Sequence, residues 1–148
     1  MPTILIVNGP NLNSLGKRST KLYGSKTLVD IETAIEQRAN ELNISIKSLQ
    51  SNHEGAIVDF VQEFGSNAHG VIINPGAFTS VGYSILDALI DTSLPVVEVH
   101  LSNIHAREEF RSHSVIAPMA RGQICGVGWR AYLYALDYLY HLISDSGH

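Results

Sequence analysis

The amino-acid sequence predicts an α/β domain in which helices cover both faces of a five-stranded parallel sheet. Short apolar runs alternate with segments of helical periodicity, as in successive crossover units. Most of these runs are continuous, which is typical of strands buried on both faces. A chain of 148 residues suits one such domain. We therefore expect a single flavodoxin-like, doubly wound domain over residues 1–148, and this fold class carries the strand order 2-1-3-4-5.

The first half of the chain is expected to contain two strands and two helices. The apolar run TILIVN, residues 3–8, predicts the first strand. Residues 27–42 have apolar side chains at helical spacing, and Thr27 can cap this helix together with the acid three residues on. Residues 44–50 alternate as a second strand, and residues 55–64 form a short amphipathic helix.

The second half continues the alternation. GVIIN, residues 70–74, predicts the third strand, and residues 84–90 predict the helix that follows it. Residues 95–100 and 122–128 predict the last two strands. A short helix is expected between them at residues 106–111, and the run RAYLYALDYLYHLI closes the chain as a helix.

The segment between the first strand and the first helix, residues 9–26, is expected to be a lid without regular structure. A loop of this length is uncommon in a compact domain and is often functional. It carries Arg18 and Tyr23. A free tyrosine is a poor base at neutral pH because its ordinary pKa is about 10, but a neighbouring guanidinium favours the phenolate. Tyr23 is therefore either such a base or a residue that packs the lid.

The composition argues against several classes of protein. The net charge of −4 gives no basic surface for nucleic acid. A single cysteine, Cys125, excludes an internal disulfide and a cysteine-based zinc cluster. The first residues, MPTILIVNG, have no basic segment and only a short apolar one, so neither a signal peptide nor a membrane span is expected. We expect a cytoplasmic protein without nucleic-acid or membrane partners.

Polar side chains gather where the first four predicted strands end. Ligands of open α/β sheets bind outside the carboxyl ends of the strands. Turn chemistry alone could explain any one of these loops, but four on one edge predict a pocket. The residues concerned are Asn8, Asn11, Asn13, Asn52, His53, Glu54, Asn74, His100, Ser102 and Asn103.

The predicted pocket suits a small, oxygen-rich, anionic ligand, because it offers amides, hydroxyls, imidazoles and arginines. Arg107 and Arg111 would share a face if they lay on one helix, where they could reach a carboxylate. We expect one of the two to pair instead with a nearby acid such as Glu108. Glu98 and His100 have the same strand parity, so Glu98 could orient the imidazole for acid–base chemistry. The alternative is that His100 is a structural histidine.

Metal and cofactor sites are disfavoured. The spacings of His100, His105 and His113 do not match a ligand pair on a helix, and the sequence contains no HExxH, GxGxxG, Walker A or GxSxG motif. No lysine stands where a buried Schiff-base lysine is expected. We therefore expect no metal and no cofactor.

Six segments, in order through nearly the whole chain, together resemble the type II dehydroquinases (3-dehydroquinate dehydratases). They are NGPNLNSLGKR, LYG, QSNHEG, INPGAFT, VEVHLSNIHAREEFRSHS and APMARGQICGVG. The resemblance implies dehydration of 3-dehydroquinate to 3-dehydroshikimate, without metal or cofactor, by anti elimination through an enolate. This step serves the shikimate pathway of aromatic amino acid biosynthesis or quinate breakdown. It also implies a dodecamer built of trimers.

The resemblance further implies roles for five catalytic residues. Tyr23, as phenolate, would remove the proton alpha to the ketone. Arg18 would favour that phenolate and stabilise the transition state, and Asn11 would stabilise the enolate oxygen through a water. His100 would donate a proton to the departing hydroxyl, and Glu98 would orient it.

Substrate binding is implied for a second set of residues. The substrate carboxylate would be held by Asn74, by Ser102 and by the backbone amides of Leu101 and Ser102. Arg111 and Asp87 would hold ring hydroxyls, Asp87 either within the chain or from a neighbouring subunit. The supporting residues would be His53 and Arg107.

The chain departs from the family pattern in and around the expected site. Ser80 stands where a substrate-binding histidine is usual; it could still donate a hydrogen bond, but it is shorter and carries no charge. Ser19 and Thr20 replace a Glu-Pro pair of the lid, and loss of the proline raises the entropy cost of closing it. Ser112 and Val115 replace a common histidine and tyrosine. These departures leave open a catalytically impaired small-acid binding protein on the same scaffold.

Overall fold

The computed structural model describes residues 1–146 and has the parallel sheet that the sequence predicts. The five strands pair in the order β2-β1-β3-β4-β5, and every neighbouring pair is parallel. The strands are β1 Thr3–Asn8, β2 Ser45–Gln50, β3 Gly70–Asn74, β4 Val96–Val99 and β5 Gly122–Ile124. The predicted fold class and strand order are therefore confirmed.

Over the part of the chain that the structure describes, six helices and five 3₁₀ turns accompany the strands. The helices are α1 Thr20–Tyr23, α2 Leu28–Leu42, α3 Glu54–Phe64, α4 Tyr83–Thr92, α5 Glu109–Ser112 and α6 Ala131–Ser146. The 3₁₀ turns are Leu12–Ser14, Gly65–Asn67, Gly76–Ser80, Ile104–Ala106 and Gly128–Arg130. Within residues 1–146, no helix is long and apolar enough to cross a membrane.

The strands in the middle of the sheet supply alternate side chains to two apolar layers. In β1, Ile4 and Ile6 pack with the buried residues of α2 and α6, whereas Leu5 and Val7 pack with those of α3 and α4. All four side chains are fully buried. The continuous apolar run from Ile4 to Val7 follows from this, since helices cover both faces of the strand there.

The two edge strands, β2 and β5, are not buried on both faces, although such burial was expected for most of the strands. In β2, the consecutive residues Lys47 and Ser48 are both exposed, so this strand is partly open to solvent on both faces and does not show the strict alternation that its sequence predicted. The other edge strand, β5, ends at Ile124, although the sequence predicted a strand as far as residue 128. An edge strand pairs on one side only, so one row of its backbone groups remains open.

The start of α2 forms the predicted cap. The Thr27 hydroxyl accepts a hydrogen bond from the Asp30 amide at 3.1 Å, and the Asp30 carboxylate accepts one from the Thr27 amide at 3.0 Å. Two backbone N–H groups at the N-terminus of α2 are thereby satisfied, which stabilises the helix by about 1 kcal/mol. The cap also fixes the point where the lid ends.

The expectation of a structureless lid is wrong. Leu12–Ser14 is a 3₁₀ turn, and α1 is one turn of α-helix that ends in Tyr23. The first turn follows Asn11, whose φ of 67° is left-handed, a conformation that asparagine tolerates better than most residues. These short turns satisfy backbone groups that a fully extended loop would leave to water.

The short helix expected at residues 106–111 is present, but it starts three residues later than predicted. A 3₁₀ turn ends at Ala106, Arg107 is extended with φ −109° and ψ −158°, and α5 begins only at Glu109. Arg107 and Arg111 therefore belong to different elements. The argument that they share one helical face does not hold.

Candidate active site

A pocket of about 720 Å³, including its open mouth, lies between the lid and the segments that follow β1, β3 and β4. Ligand sites of open α/β sheets occur at this carboxyl edge. The structure brings ten of the residues expected in a site together here. They are Asn11, Arg18, Tyr23, Asn74, Ser80, His100, Leu101, Ser102, Arg107 and Arg111.

Three expected site residues do not line this pocket. Glu98 lies fully buried beside His100. Asp87 is exposed on α4, and His53 is exposed at the residue before α3. Within one chain, therefore, Asp87 and His53 do not contact a ligand in the pocket.

On the lid side, a phenol lies between arginines. The Arg18 side chain donates a hydrogen bond from Nη2 to the Tyr23 hydroxyl at 3.4 Å, and its Cζ lies 4.4 Å from the centre of the tyrosine ring. The Cζ of Arg107 lies 5.3 Å from the same ring centre. Tyr23 is half-buried and also packs against the core. Two positive charges thus adjoin one phenol that faces the pocket.

On the strand side, Glu98 and His100 form a buried pair at the end of β4. Glu98 Oε2 and His100 Nε2 are 2.5 Å apart, and the residues are 0% and 5% exposed. An ionised carboxylate only accepts hydrogen bonds, so Nε2 of His100 carries a proton. Nδ1 is then the ring nitrogen that can exchange a proton with a ligand. Glu98 fixes both the orientation and the tautomer of the imidazole.

Two further donors hold the Glu98 carboxylate. Ser114 donates to Oε1 at 2.6 Å, and Gln123 donates from Nε2 to Oε2 at 2.7 Å. Burial works against the charge of Glu98, but the hydrogen bonds from His100, Ser114 and Gln123 and the charge of His100 outweigh it. The pKa of Glu98 therefore lies below its ordinary value, and the group is ionised at neutral pH.

A buried amide network holds Asn74 at the floor of the pocket. Asn74 Oδ1 accepts a hydrogen bond from the Gly76 amide at 3.2 Å, and its Nδ2 donates to the Tyr132 hydroxyl at 3.1 Å. Tyr132 in turn donates to Asn8 Oδ1 at 2.6 Å. Burial raises the pKa of Tyr132, so its hydroxyl stays protonated and remains a donor. The network fixes the Asn74 side chain and the turn that follows β3.

The two arginines after β4 have different partners. Arg107 donates from Nη1 to the Ser102 hydroxyl at 3.2 Å, whereas Arg111 donates from Nε to Glu108 at 2.6 Å. The expectation that one of the pair binds a neighbouring acid therefore holds for Arg111. Both still line the pocket, so both positive charges face any ligand there.

Sequence reasoning missed three residues that support the site: Ser114, Gln123 and Tyr132. A signal existed for Gln123, because it is the direct neighbour of Glu98 in the paired strands β4 and β5. Tyr132 lies in a helix that reads as apolar, where a buried hydroxyl needs a polar partner. For Ser114 the sequence carries no such signal, since it follows α5 in an irregular segment.

The end of the lid rests against the protein's single tryptophan. The Lys26 ammonium lies 5.1 Å from the centre of the Trp129 ring, and the Arg130 guanidinium lies 4.8 Å from it. Both distances are within the range of cation–π attraction. Because Arg130 belongs to the same turn as Trp129, it is the Lys26 contact that joins the lid to the turn preceding α6.

No cluster of three or more His, Cys, Asp or Glu side chains within residues 1–146 is arranged to hold a metal ion. Cys125, just beyond β5, is half-buried. Burial and the charge of Glu98 raise its pKa to about 11, so it remains a neutral thiol at physiological pH.

Comparisons with known proteins agree with this architecture. Residues 2–140 match the family model described as dehydroquinase class II. The chain is 52% identical to a 3-dehydroquinate dehydratase of Bacillus pumilus over 99% of this chain and 98% of the relative. It is 48% identical to that of Halothermothrix orenii over the whole of both chains. The crystal structure of a type II dehydroquinase from Butyrivibrio crossotus superposes with a TM-score of 0.91, at 45% identity, over 93% of this chain and 97% of that one. The chain belongs to the class II dehydroquinase family.

Proposed function

We propose that this protein is a hydro-lyase that removes water from 3-dehydroquinate to give 3-dehydroshikimate. The observation that carries the proposal is the placement of a phenol between arginines on one side of the pocket and a carboxylate-bound imidazole on the other. This arrangement supplies a base and an acid to a ligand held between them. The two dehydratases named above support the same reaction, and neither supports a catalytically impaired binding protein.

The first step is removal of the proton alpha to the ketone by Tyr23 as phenolate. A guanidinium stabilises negative charge on a phenolic oxygen, which is the role proposed for Arg18. The electron pair released from the C–H bond moves to the ketone oxygen and forms an enolate. Asn11 stabilises that oxygen through a water.

In the second step, the enolate returns its electron pair to the ring as the C–O bond to the hydroxyl breaks. His100 donates the proton from Nδ1, so the hydroxyl leaves as water. Glu98 stabilises the imidazolium before transfer and holds the ring in place afterwards. Tyr23 then bears the proton taken from the substrate, and exchange with solvent restores both groups.

The substrate carboxylate binds at the turn that follows β4. The Ser102 hydroxyl and the backbone amides of Leu101 and Ser102 are its donors, and Asn74 completes the cradle. Arg107 supports it, because its guanidinium is bonded to the Ser102 hydroxyl and adds positive charge.

The ring hydroxyls lie towards Arg111 and Ser80 in the same pocket. Ser80, at the end of the 3₁₀ turn Gly76–Ser80, offers a neutral hydroxyl where the family pattern has a histidine. His53 remains a supporting residue outside the pocket of its own chain.

The protein assembles as trimers that form a dodecamer, and Asp87 enters the pocket of a neighbouring subunit. Support comes from the outward face of α4, where Asp87 lies between exposed apolar residues. Tyr83 is 60% exposed and Ile90 is 50% exposed, and the three share one helical face. Exposed apolar surface of this kind marks interaction sites. An Ile90→Asp substitution should reduce the mass measured by light scattering and lower activity together.

We expect a cytoplasmic enzyme of the shikimate pathway or of quinate breakdown. The test of the reaction is direct: purified protein is mixed with 3-dehydroquinate in the presence of EDTA, and the ultraviolet absorbance of the conjugated enone product is followed. A rising signal that is absent with the His100→Ala variant is the expected result. A flat signal from folded, oligomeric protein would contradict the proposed function.

A further inference from the structure

The Glu98–His100 pair is the inner end of a chain of hydrogen bonds that reaches the protein surface. Gln123 donates to Glu98 Oε2 at 2.7 Å, and Gln123 Oε1 lies 3.1 Å from Nε2 of His105. His105 is exposed, on the 3₁₀ turn after β4. Three side chains, those of His105, Gln123 and Glu98, therefore connect solvent to the imidazole in the pocket.

The charge of Glu98 sets the direction of every bond in this chain. Because the carboxylate can only accept, Gln123 must present its NH₂ group to Glu98. Its carbonyl oxygen then faces His105, and Nε2 of His105 must be the donor. This bond forms whether His105 is neutral or charged, since Nε2 carries a proton in both states.

Neither Gln123 nor His105 lines the pocket. Gln123 is fixed by its strand, because it pairs with Glu98 in the register of β4 and β5. His105 is fixed by Asn103, whose side-chain oxygen accepts a hydrogen bond from the His105 amide at 3.1 Å. Both residues are held in position without any ligand.

We propose that Gln123 and His105 are positioning residues that set the proton affinity and the orientation of His100 through Glu98. The expected effect on turnover rests on the proposed function, whereas the expected effect on the titration of His100 does not. Gln123 adds a donor to a buried carboxylate and so draws part of its charge away from His100. His105 holds the Gln123 amide in the one orientation that allows this.

The titratable groups that act on Glu98 are His100, at the end of the same strand, and Cys125, beyond β5. Cys125 stays a neutral thiol because its pKa is raised to about 11, so it places no charge near Glu98. Without the Gln123 donor, the full charge of Glu98 falls on His100. The titration of His100 should then move to higher pH.

The test follows the titration of His100 by NMR of its imidazole nitrogens, which does not depend on turnover. Gln123→Met keeps the length of the side chain but removes both hydrogen bonds, and His105→Leu removes only the outer one. His105→Gln can still donate from a similar position. His141→Gln, on the exposed side of α6, is the matched control for replacement of a surface histidine.

We expect the midpoint for His100 to rise by up to about one pH unit in Gln123→Met and by less in His105→Leu. His105→Gln should restore it, and His141→Gln should leave it unchanged. With 3-dehydroquinate, kcat should fall about tenfold in Gln123→Met, with KM changed by less than about twofold, because the residue does not contact substrate.

A Gln123→Met midpoint that coincides with that of the wild type would overturn the proposal. A lower kcat in Gln123→Met and His105→Leu with an unshifted His100 midpoint would also overturn it, since a change in packing alone would then explain the loss of activity. If the wild-type protein makes no 3-dehydroshikimate but the variants show the shifted midpoints, the proposed function is overturned and the positioning role of Gln123 and His105 stands.

Discussion

The two sides of the pocket are built differently. The lid side offers Arg18 and Tyr23, which are joined by one long hydrogen bond of 3.4 Å and by contact of a cation with a ring. The strand side offers Glu98 and His100, which are buried at the end of β4 and joined at 2.5 Å. Glu98 has two further donors.

The difference means that the acid on the strand side is fixed in position, whereas the residues on the lid side can adjust. A buried carboxylate with three donors cannot move without leaving a polar group unsatisfied, so the acid is organised before substrate arrives. The lid side has few such constraints and can move to admit substrate and release product. Removal of a polar group on the strand side should therefore change stability as well as rate, whereas removal of the Tyr23 hydroxyl on the lid side should change rate alone.

The largest effect is expected for Tyr23→Phe. Loss of the base should reduce kcat on the order of 10³-fold, because proton transfer by a positioned group contributes this much. The melting temperature and the oligomer should be unchanged, since the hydroxyl makes only the long contact with Arg18. Tyr138→Phe, which removes an exposed hydroxyl from α6, is the control. Substantial turnover by Tyr23→Phe would exclude Tyr23 as the base.

Glu98→Gln should affect both rate and stability. The amide presents an NH₂ group to donors that need an acceptor, so we expect kcat to fall about 10²-fold and the free energy of unfolding to fall by about 1–3 kcal/mol. Urea denaturation measures the second effect. Glu63→Gln, at an exposed position of α3, should show neither. Unchanged stability of Glu98→Gln would contradict the contrast between the two sides.

The stability difference between wild type and Glu98→Gln should narrow in acid. The pKa of Glu98 is lower in the folded protein than its ordinary value of 4.5, so its charge stabilises the fold above about that pH. This contribution is lost as pH falls from 4.5 through the lower folded-state pKa. Denaturation curves of both proteins at several pH values measure the gap. A gap that stays constant down to the lowest pH would contradict the assigned direction.

The smallest effect is expected for Thr20→Pro, which restores the proline common in the family lid. Thr20 is the first residue of α1, where proline fits, and Ser19 before it has ψ 101°, outside the α region that a following proline disfavours. We expect about 0.4–1 kcal/mol of stabilisation and a KM lowered by about twofold, because the free lid has less entropy to lose. A higher KM would show that the lid closes through a conformation that proline forbids.

The sequence was sufficient for features that depend on local pattern. The continuous run of β1 and the Thr27 cap of α2 were predicted because each depends on residues within a few positions of one another. The partnership of Glu98 with His100 was predicted for the same reason, since strand parity places alternate residues on one side.

Features that depend on distant segments were not predicted. Gln123 and Tyr132 reach the site from β5 and α6, and their partners are 25 and 58 residues away in sequence. The break at Arg107 was missed because the spacing of Arg107 and Arg111 fits a helix, and this spacing does not reveal that Arg107 itself is extended. Asp87 lies exposed on α4 and outside the pocket of its own chain, so a role for it depends on the neighbouring subunit proposed above, which local sequence pattern does not describe.

The contact between Lys26 and Trp129 has an optical consequence. The chain contains one tryptophan, so its intrinsic fluorescence comes from a single known place beside the last residue before the α2 cap. Indole emission responds to a charge near the ring, and movement of the lid changes the position of the Lys26 ammonium. Any opening of the lid that displaces Lys26 should therefore change the wavelength and intensity of that emission, and stopped-flow mixing of the unlabelled protein with substrate would follow it.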